Sequence, residues 1–188
     1  MDAEYLGYVE AAQFDGATDT LPAEPVPDDA VQAAAPAAPK AAARVLEYAP
    51  GRHIALAPYA TYALIENPDV ARVPGAARYA YGLVTWQDKR LPLIDLNILL
   101  HPDSAAASSA APRYALVVAY RNQARGPLAY GAVGLSALPQ TVFASDEDQC
   151  ALPADSTLWP QLALSCFRHE GQAVPILDAA GLFATRRD

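Results

Sequence analysis

Basic residues are scarce and scattered in this chain: thirteen lysines and arginines against twenty-one acids give a formal charge of −8. No basic patch stands out, so nucleic-acid phosphates find little to attract them. Anionic membrane surfaces are disfavoured for the same reason. No run approaches the about 18 consecutive apolar residues of a membrane span. The N-terminus opens on Asp2 and Glu4 instead of the basic start of a secretory leader. Cysteines number two, Cys150 and Cys166, too few for a disulfide framework, and without a leader they read as free thiols in a reducing cytoplasm. There is no glycine-rich phosphate loop ending in Lys-Ser or Lys-Thr, and no Gly-x-Ser-x-Gly elbow. His53, His101 and His169 lie in turn-like segments with no two at metal-ligand spacing, whereas a metal site needs several converging ligands. The expectation from these absences is a cytoplasmic protein that carries no metal or cofactor.

What charge there is falls unevenly. Eight acids precede Arg44 against Lys40 alone, and the remainder carries thirteen acids and twelve bases. The acidity belongs to the first segment, and the body is close to neutral. Apolar residues make up 53% of the chain, inflated by alanine, enough for one ordinary domain or two small, closely packed ones. Residues 1–43 read as a disordered tail, because Pro22, Pro25, Pro27, Pro36 and Pro39 lie among alanines and acids that bury too little surface to offset ordering. Within it, Tyr5, Leu6, Val9, Ala12 and Gln13 sit at roughly helical spacing. They read either as a docking segment that folds on a partner or as a flexible leader, since so short a helix is marginal alone.

The most informative feature is a duplication. Leu91-Pro92-Leu93-Ile94-Asp95 runs into Leu99-Leu100, and Val174-Pro175-Ile176-Leu177-Asp178 runs into Leu182-Phe183. A period this long points to two similar supersecondary units and not to a solenoid. Branched apolar pairs favour a buried pleated surface, and an aspartate accepts from the orphan amides of a helix start. Each copy therefore reads as a strand ending in an Asp-capped helical turn. That reading takes Asp95 and Asp178 off any list of catalytic carboxylates.

Strand signals fill the rest. Arg44–Tyr48 and Ile54–Leu56 flank a turn at Pro50-Gly51, and Thr61–Ile65 follows. Val73-Pro74-Gly75 is a turn, and Ala76–Tyr81 fits one helical turn. Gly82–Trp86 and Leu91–Ile94 flank a turn at Gln87–Arg90. A low-complexity loop at about 103–112 joins the halves. Then come Tyr114–Tyr120, Leu128–Leu135 with a continuation at Val142-Phe143, an acidic loop Asp146–Asp148, and the pair Leu162–Arg168 and Ala173–Leu177 about a Glu170-Gly171 turn. Short strands with turns every eight to twelve residues indicate an all-β sandwich or barrel. Cys150 lies in acidic surroundings, the wrong ones for an activated thiolate, and Cys166 alternates with Phe167 towards a core. Trp86, beside a turn, reads equally as an exposed binding anchor or as a half-buried ring closing a barrel.

The order and spacing of Pro74, Gly82-Leu83-Val84, Leu91-Pro92-Leu93-Ile94-Asp95-Leu96 and the closing Val174-Pro175-Ile176-Leu177-Asp178 resemble the CheW-like coupling domain of bacterial chemosensory arrays. The resemblance covers about Val45 to Ala184, and 44–184 is the expected domain. It implies two packed five-stranded, SH3-like β-barrels with short helices and no active site. It also implies an adaptor that bridges chemoreceptor signalling tips to the regulatory domain of a CheA-type histidine kinase, in a chemotaxis or pilus-motility system. The first barrel would face chiefly the kinase, and the groove between barrels the receptor. Partner contacts are expected at Thr85, Trp86, Gln87 and Asp88, and at Thr61, Tyr62, Val133 and Leu135. Where the family has Asn-Leu-Arg-Gly, this chain has Thr85-Trp86-Gln87-Asp88, and a glutamine cannot make a guanidinium's bidentate, charge-assisted contacts. The rival expectations are a small β-barrel that binds a ligand, an enzyme with an unrecognised site, or a relative that only titrates a partner.

Overall fold

The computed structural model describes residues 39–103, 111–123 and 125–184. The tail through residue 38, with the apolar residues Tyr5 to Gln13 that read as a docking segment or a leader, and most of the low-complexity loop lie outside the described residues. The first half carries β1 (Ala41–Ala49), β2 (Arg52–Leu56), β3 (Thr61–Glu66), β4 (Val70–Ala71), β5 (Ala80–Trp86), β6 (Lys89–Ile94) and α1 (Leu96–Leu100). The second carries β7 (Tyr114–Tyr120), β8 (Ala129–Leu135), β9 (Gln140–Ala144), α2 (Trp159–Leu162), β10 (Ala163–His169), β11 (Gln172–Leu177) and α3 (Ala179–Phe183).

These strands form a five-stranded sheet, β10-β11-β2-β1-β9, and a six-stranded one, β3-β7-β8-β6-β5-β4. Without the two-residue β4 the two have the same plan. In each, a hairpin (β10–β11 or β5–β6) pairs in parallel with the second strand of another hairpin (β1–β2 or β7–β8): Ile176 opposes Ala55, and Leu93 opposes Ala132. The all-β expectation of two small barrels therefore holds, and the duplicated segments fall in separate sheets. The halves are not separate, however. Each half contributes its first hairpin to the sheet that the other half completes. For the same reason Val142 and Phe143 do not continue β8. Across Pro139 the chain leaves for the other sheet, where β9 pairs with β1.

That pairing moves a boundary. β1 starts at Ala41, three residues inside the expected tail, because Ala41, Ala42 and Ala43 oppose Ala144, Phe143 and Val142. Ala76–Tyr81 forms no helix. Ala76 N–H donates to the Val73 carbonyl (3.2 Å) and Ala80 N–H to that of Ala77 (2.9 Å), and β5 has already begun. The acidic loop Asp146–Asp148 is one 3-10 turn, in which Ser145 and Asp148 form a reciprocal capping box.

Adjacent residues on a strand serve different cores, as the two-residue period requires. Val45 joins Ala55, Phe167 and Val174 inside the five-stranded sheet, while Leu46 joins Leu116, Val133 and Trp159 between the sheets. Val84, Leu93, Val117 and Ala132 fill the six-stranded one. The shared middle core is the largest, and α1, α2 and α3 all contribute to it. Both helix caps form as the duplication implies: Asp95 Oδ1 accepts from Ile98 N–H and Asp178 Oδ1 from Ala180 N–H, each at 3.0 Å.

Candidate partner-binding surface

The β5–β6 hairpin turns on two residues only. Trp86 opposes Lys89, and between them Gln87 (φ 46°) and Asp88 (φ 62°) both lie in the left-handed region. Two positive-φ central residues are the type I′ pattern, whose twist matches that of the flanking strands. Lys89 and Arg90, expected in the turn, therefore belong to β6. The turn lifts Thr85, Gln87 and Asp88 into solvent and leaves Trp86 half-buried.

The Trp86 ring settles the choice left open by the sequence. It packs on Tyr62 of β3 (centroids 5.6 Å apart, 81° between planes) and on Tyr130 of β8 (5.2 Å, 48°), and these two tyrosines meet edge-on at 5.4 Å. Lys89 Nζ lies 4.9 Å from the Tyr130 centroid, within range for a cation–π contact. The cluster ties β3 to β5, strands on opposite sides of the six-stranded sheet, so Trp86 is a closing side chain. It is also part of a surface, because Tyr62 remains 57% exposed. Mutually packed rings with one face in solvent are a pre-ordered apolar contact, of the residue types that dominate binding hot spots.

Thr61 stands at the start of β3 with a local duty, its hydroxyl donating to the Pro58 carbonyl at 2.8 Å. Beside it a cavity of about 310 Å³ opens between the two sheets, with Arg44 and Leu138 on one wall and Tyr62 and Leu64 on the other. Tyr62, Leu64 and Leu138 expose 57%, 39% and 58% of their area there.

Val133 and Leu135 do not belong to this surface. They are 0% and 1% exposed, in the core between the sheets. Both faces of β8 are covered: Val133 and Leu135 pack into the core between the sheets and Ala132 into that of the six-stranded one, so the strand is buried from Gly131 to Leu135. In their place the structure adds Tyr130, Lys89 and Leu138, which sequence reasoning missed. Tyr130 had one usable signal: it lies on the glycine-broken strand two residues before Ala132, on the same face of the pleat.

A polar network that runs from the buried His101 out to the exposed Asp155 lies elsewhere and is structural. The His101 ring meets the Tyr48 hydroxyl through Nε2 (3.2 Å) and the Asp155 carbonyl through Nδ1 (3.2 Å). A carbonyl only accepts, so Nδ1 carries the proton and Nε2 accepts from Tyr48. Burial, with Arg52 adding to it, holds His101 below its ordinary pKa, and burial pushes Tyr48 up to about 12. Asp155 Oδ1 accepts from Trp159 Nε1 at 2.8 Å and its other oxygen lies 3.4 Å from Arg52. The set ties the end of α1 to β1 and α2. Among the described residues no group of three or more His, Cys, Asp or Glu converges to hold a metal. Nor is any helix among them long and apolar enough to cross a membrane.

The CheW-like domain family profile matches residues 52–187. Among solved structures, the chain is similar to the scaffolding protein TtCheW from Thermoanaerobacter tengcongensis, with a TM-score of 0.59 at 12% identity over 79% of this chain and 95% of that one. No curated protein sequence matches significantly. With most of the chain matched by the family profile and the duplicated barrel plan in place, the chain belongs to the CheW-like domain family, whose members are scaffolding adaptors of chemotaxis signalling and not enzymes.

Proposed function

We propose that this protein is a cytoplasmic coupling adaptor, binding the regulatory domain of a CheA-type histidine kinase and the signalling tip of a chemoreceptor. The kinase would meet the end of the six-stranded sheet, at the Gln87-Asp88 turn and the rings behind it. The receptor would lie in the cleft between the sheets, beside Tyr62, Leu64 and Leu138. The observation that carries this reading is the Tyr62–Trp86–Tyr130 cluster, with ring centroids 5.2–5.6 Å apart at the surface. A contact built from rings that already hold one another loses little side-chain freedom on binding. Such an adaptor needs no catalytic group, and His101 itself is engaged by the Tyr48 hydroxyl and the Asp155 carbonyl. Titration calorimetry of the full chain against a kinase regulatory domain, and separately against a receptor-tip peptide bundle, tests both halves of the proposal. Binding to each, lost at the kinase with Trp86→Ala and at the receptor with Leu138→Asp, is expected. Binding to neither, or binding indifferent to both substitutions, overturns it.

A further inference from the structure

Cys150 and Cys166 are neighbours in the fold, with Sγ atoms 3.5 Å apart. They face each other across the seam of the five-stranded sheet, where β9 leads into β10. Gln149 bridges to Phe167, and Cys150 N–H donates to the Cys166 carbonyl at 3.0 Å. The six-stranded sheet has the same seam, where Val70 opposes Val84 and Ala71 opposes Leu83. By that correspondence Cys150 and Cys166 stand where Ala71 and Leu83 stand, directly opposed across two antiparallel segments. Directly opposed residues have Cα atoms about 4.5–5.5 Å apart, inside the range a disulfide spans. The sulfurs have only to close to about 2.05 Å.

We infer that Cys150 and Cys166 form a reversible dithiol modification site, oxidised by small-molecule disulfides of the glutathione class. The two thiols differ in access: Cys150 is half-buried and Cys166 is 2% exposed. Cys150 is therefore the entry point. Its sulfur gives up a proton and attacks one sulfur of glutathione disulfide, forming a mixed disulfide and releasing one glutathione thiolate. Cys166 then attacks the Cys150 sulfur and gives its proton to the departing sulfur, which forms the intramolecular bond, breaks the mixed one and releases the second glutathione as a thiol. Two protein thiols are oxidised and one glutathione disulfide becomes two glutathiones. At 2% exposure Cys166 is out of reach of reagents in solution and reacts through its place beside Cys150, and burial also drives its thiol up to about 12. The bond would fasten Ser145–Cys150 across β10, closing covalently a seam that the other sheet closes with β4.

The test uses the full chain in glutathione redox buffers, with intact mass and free-thiol titration as readouts. The expected product is a monomer lighter by two hydrogens with no free thiol, restored by dithiothreitol. Cys166→Ser is expected to stop at a stable glutathione adduct on Cys150, and Cys150→Ser to stay unmodified. Melting curves of both variants, with Cys166→Ala as an alternative, establish that each is folded. A wild-type chain that halts at the glutathione adduct, cross-links between chains or keeps both thiols overturns the inference, as does a folded Cys150→Ser variant that reacts at the wild-type rate.

Discussion

Gln87 and Glu170 occupy the same place in two hairpins, with φ angles of 46° and 48°. Each is followed by a second left-handed residue, Asp88 in one turn and Gly171 in the other. Only the second turn uses glycine, the residue that adopts this geometry without steric cost. A Cβ on Gly171 would meet nothing within 4 Å, so Gly171→Ala isolates backbone strain. The expected loss is about 1–2 kcal/mol, read from urea unfolding. Gln87→Asn is expected to raise the unfolding midpoint slightly, because asparagine tolerates the left-handed region. A Gly171→Ala variant as stable as the parent would mean the turn is not type I′.

The two aspartate caps are expected to be unequal. Replacing a capping aspartate by alanine removes about 1 kcal/mol. Asp178→Ala should lose about that. Asp95 is buried and also engages the Tyr81 hydroxyl, whose proton is held well above its ordinary pKa by burial and by Asp95. Its removal orphans a second group, so Asp95→Ala should lose distinctly more than Asp178→Ala. Equal losses in paired denaturant titrations would deny the Tyr81 contact.

Acid should weaken the fold through His101. Its folded-state pKa lies below the unfolded value of about 6.5. As pH falls through 6.5, the unfolded chain takes up a proton that the folded one resists. The contribution is therefore complete above about pH 6.5 and is lost progressively as pH drops towards the lowered folded value. Arg52 reinforces the lowering and Asp155 opposes it. A His101→Gln variant should be less stable at pH 7.5 yet lose less between pH 6.5 and 5. A parallel pH profile for the two proteins would count against this account.

Binding should respond to the turn and to the rings in opposite senses. A neutral hydrogen bond is worth about 0.5–1.5 kcal/mol and one involving a charge about 1.5–3. Gln87→Arg should therefore tighten binding to a conventional kinase regulatory domain roughly tenfold, with more salt dependence. Tyr62→Ala should weaken it without unfolding the chain, since the ring is already 57% exposed. Calorimetry of both variants with unchanged affinity would remove this surface from the interface.

The local chemistry was legible in the sequence. Proline, branched pairs and aspartate announced β6–α1 and β11–α3 with their caps, because those signals act within five or six residues. The exchange of hairpins was not legible, since nothing local in Leu138-Pro139-Gln140 says that the chain crosses to the other sheet. Val133 and Leu135 were misplaced for a related reason: burial on both faces of β8 comes from two cores, one shared with the other sheet, whose residues lie far away in the chain. The aromatic cluster was half-visible. Trp86 and Tyr62 could be named, but Tyr130 joins them only once strands far apart in the chain are closed on one another. Dissecting the polar network around His101 likewise needed Asp155, which is far from it in sequence.

The exchange of hairpins also bears on how this chain comes off the ribosome. When synthesis has reached Leu100, β1 and β2 are present but β9, β10 and β11 are not, and the hairpin β5–β6 still waits for β7 and β8. Neither sheet is complete at the halfway point, so no autonomous N-terminal unit exists for the second half to build on. The six-stranded sheet can close only after β8, Ala129–Leu135, and the five-stranded one waits for the last strand, Gln172–Leu177, with the burden of long-range pairing that slows such topologies. A chain cut between residues 103 and 111 should accordingly yield fragments that are unfolded apart and fold only on mixing.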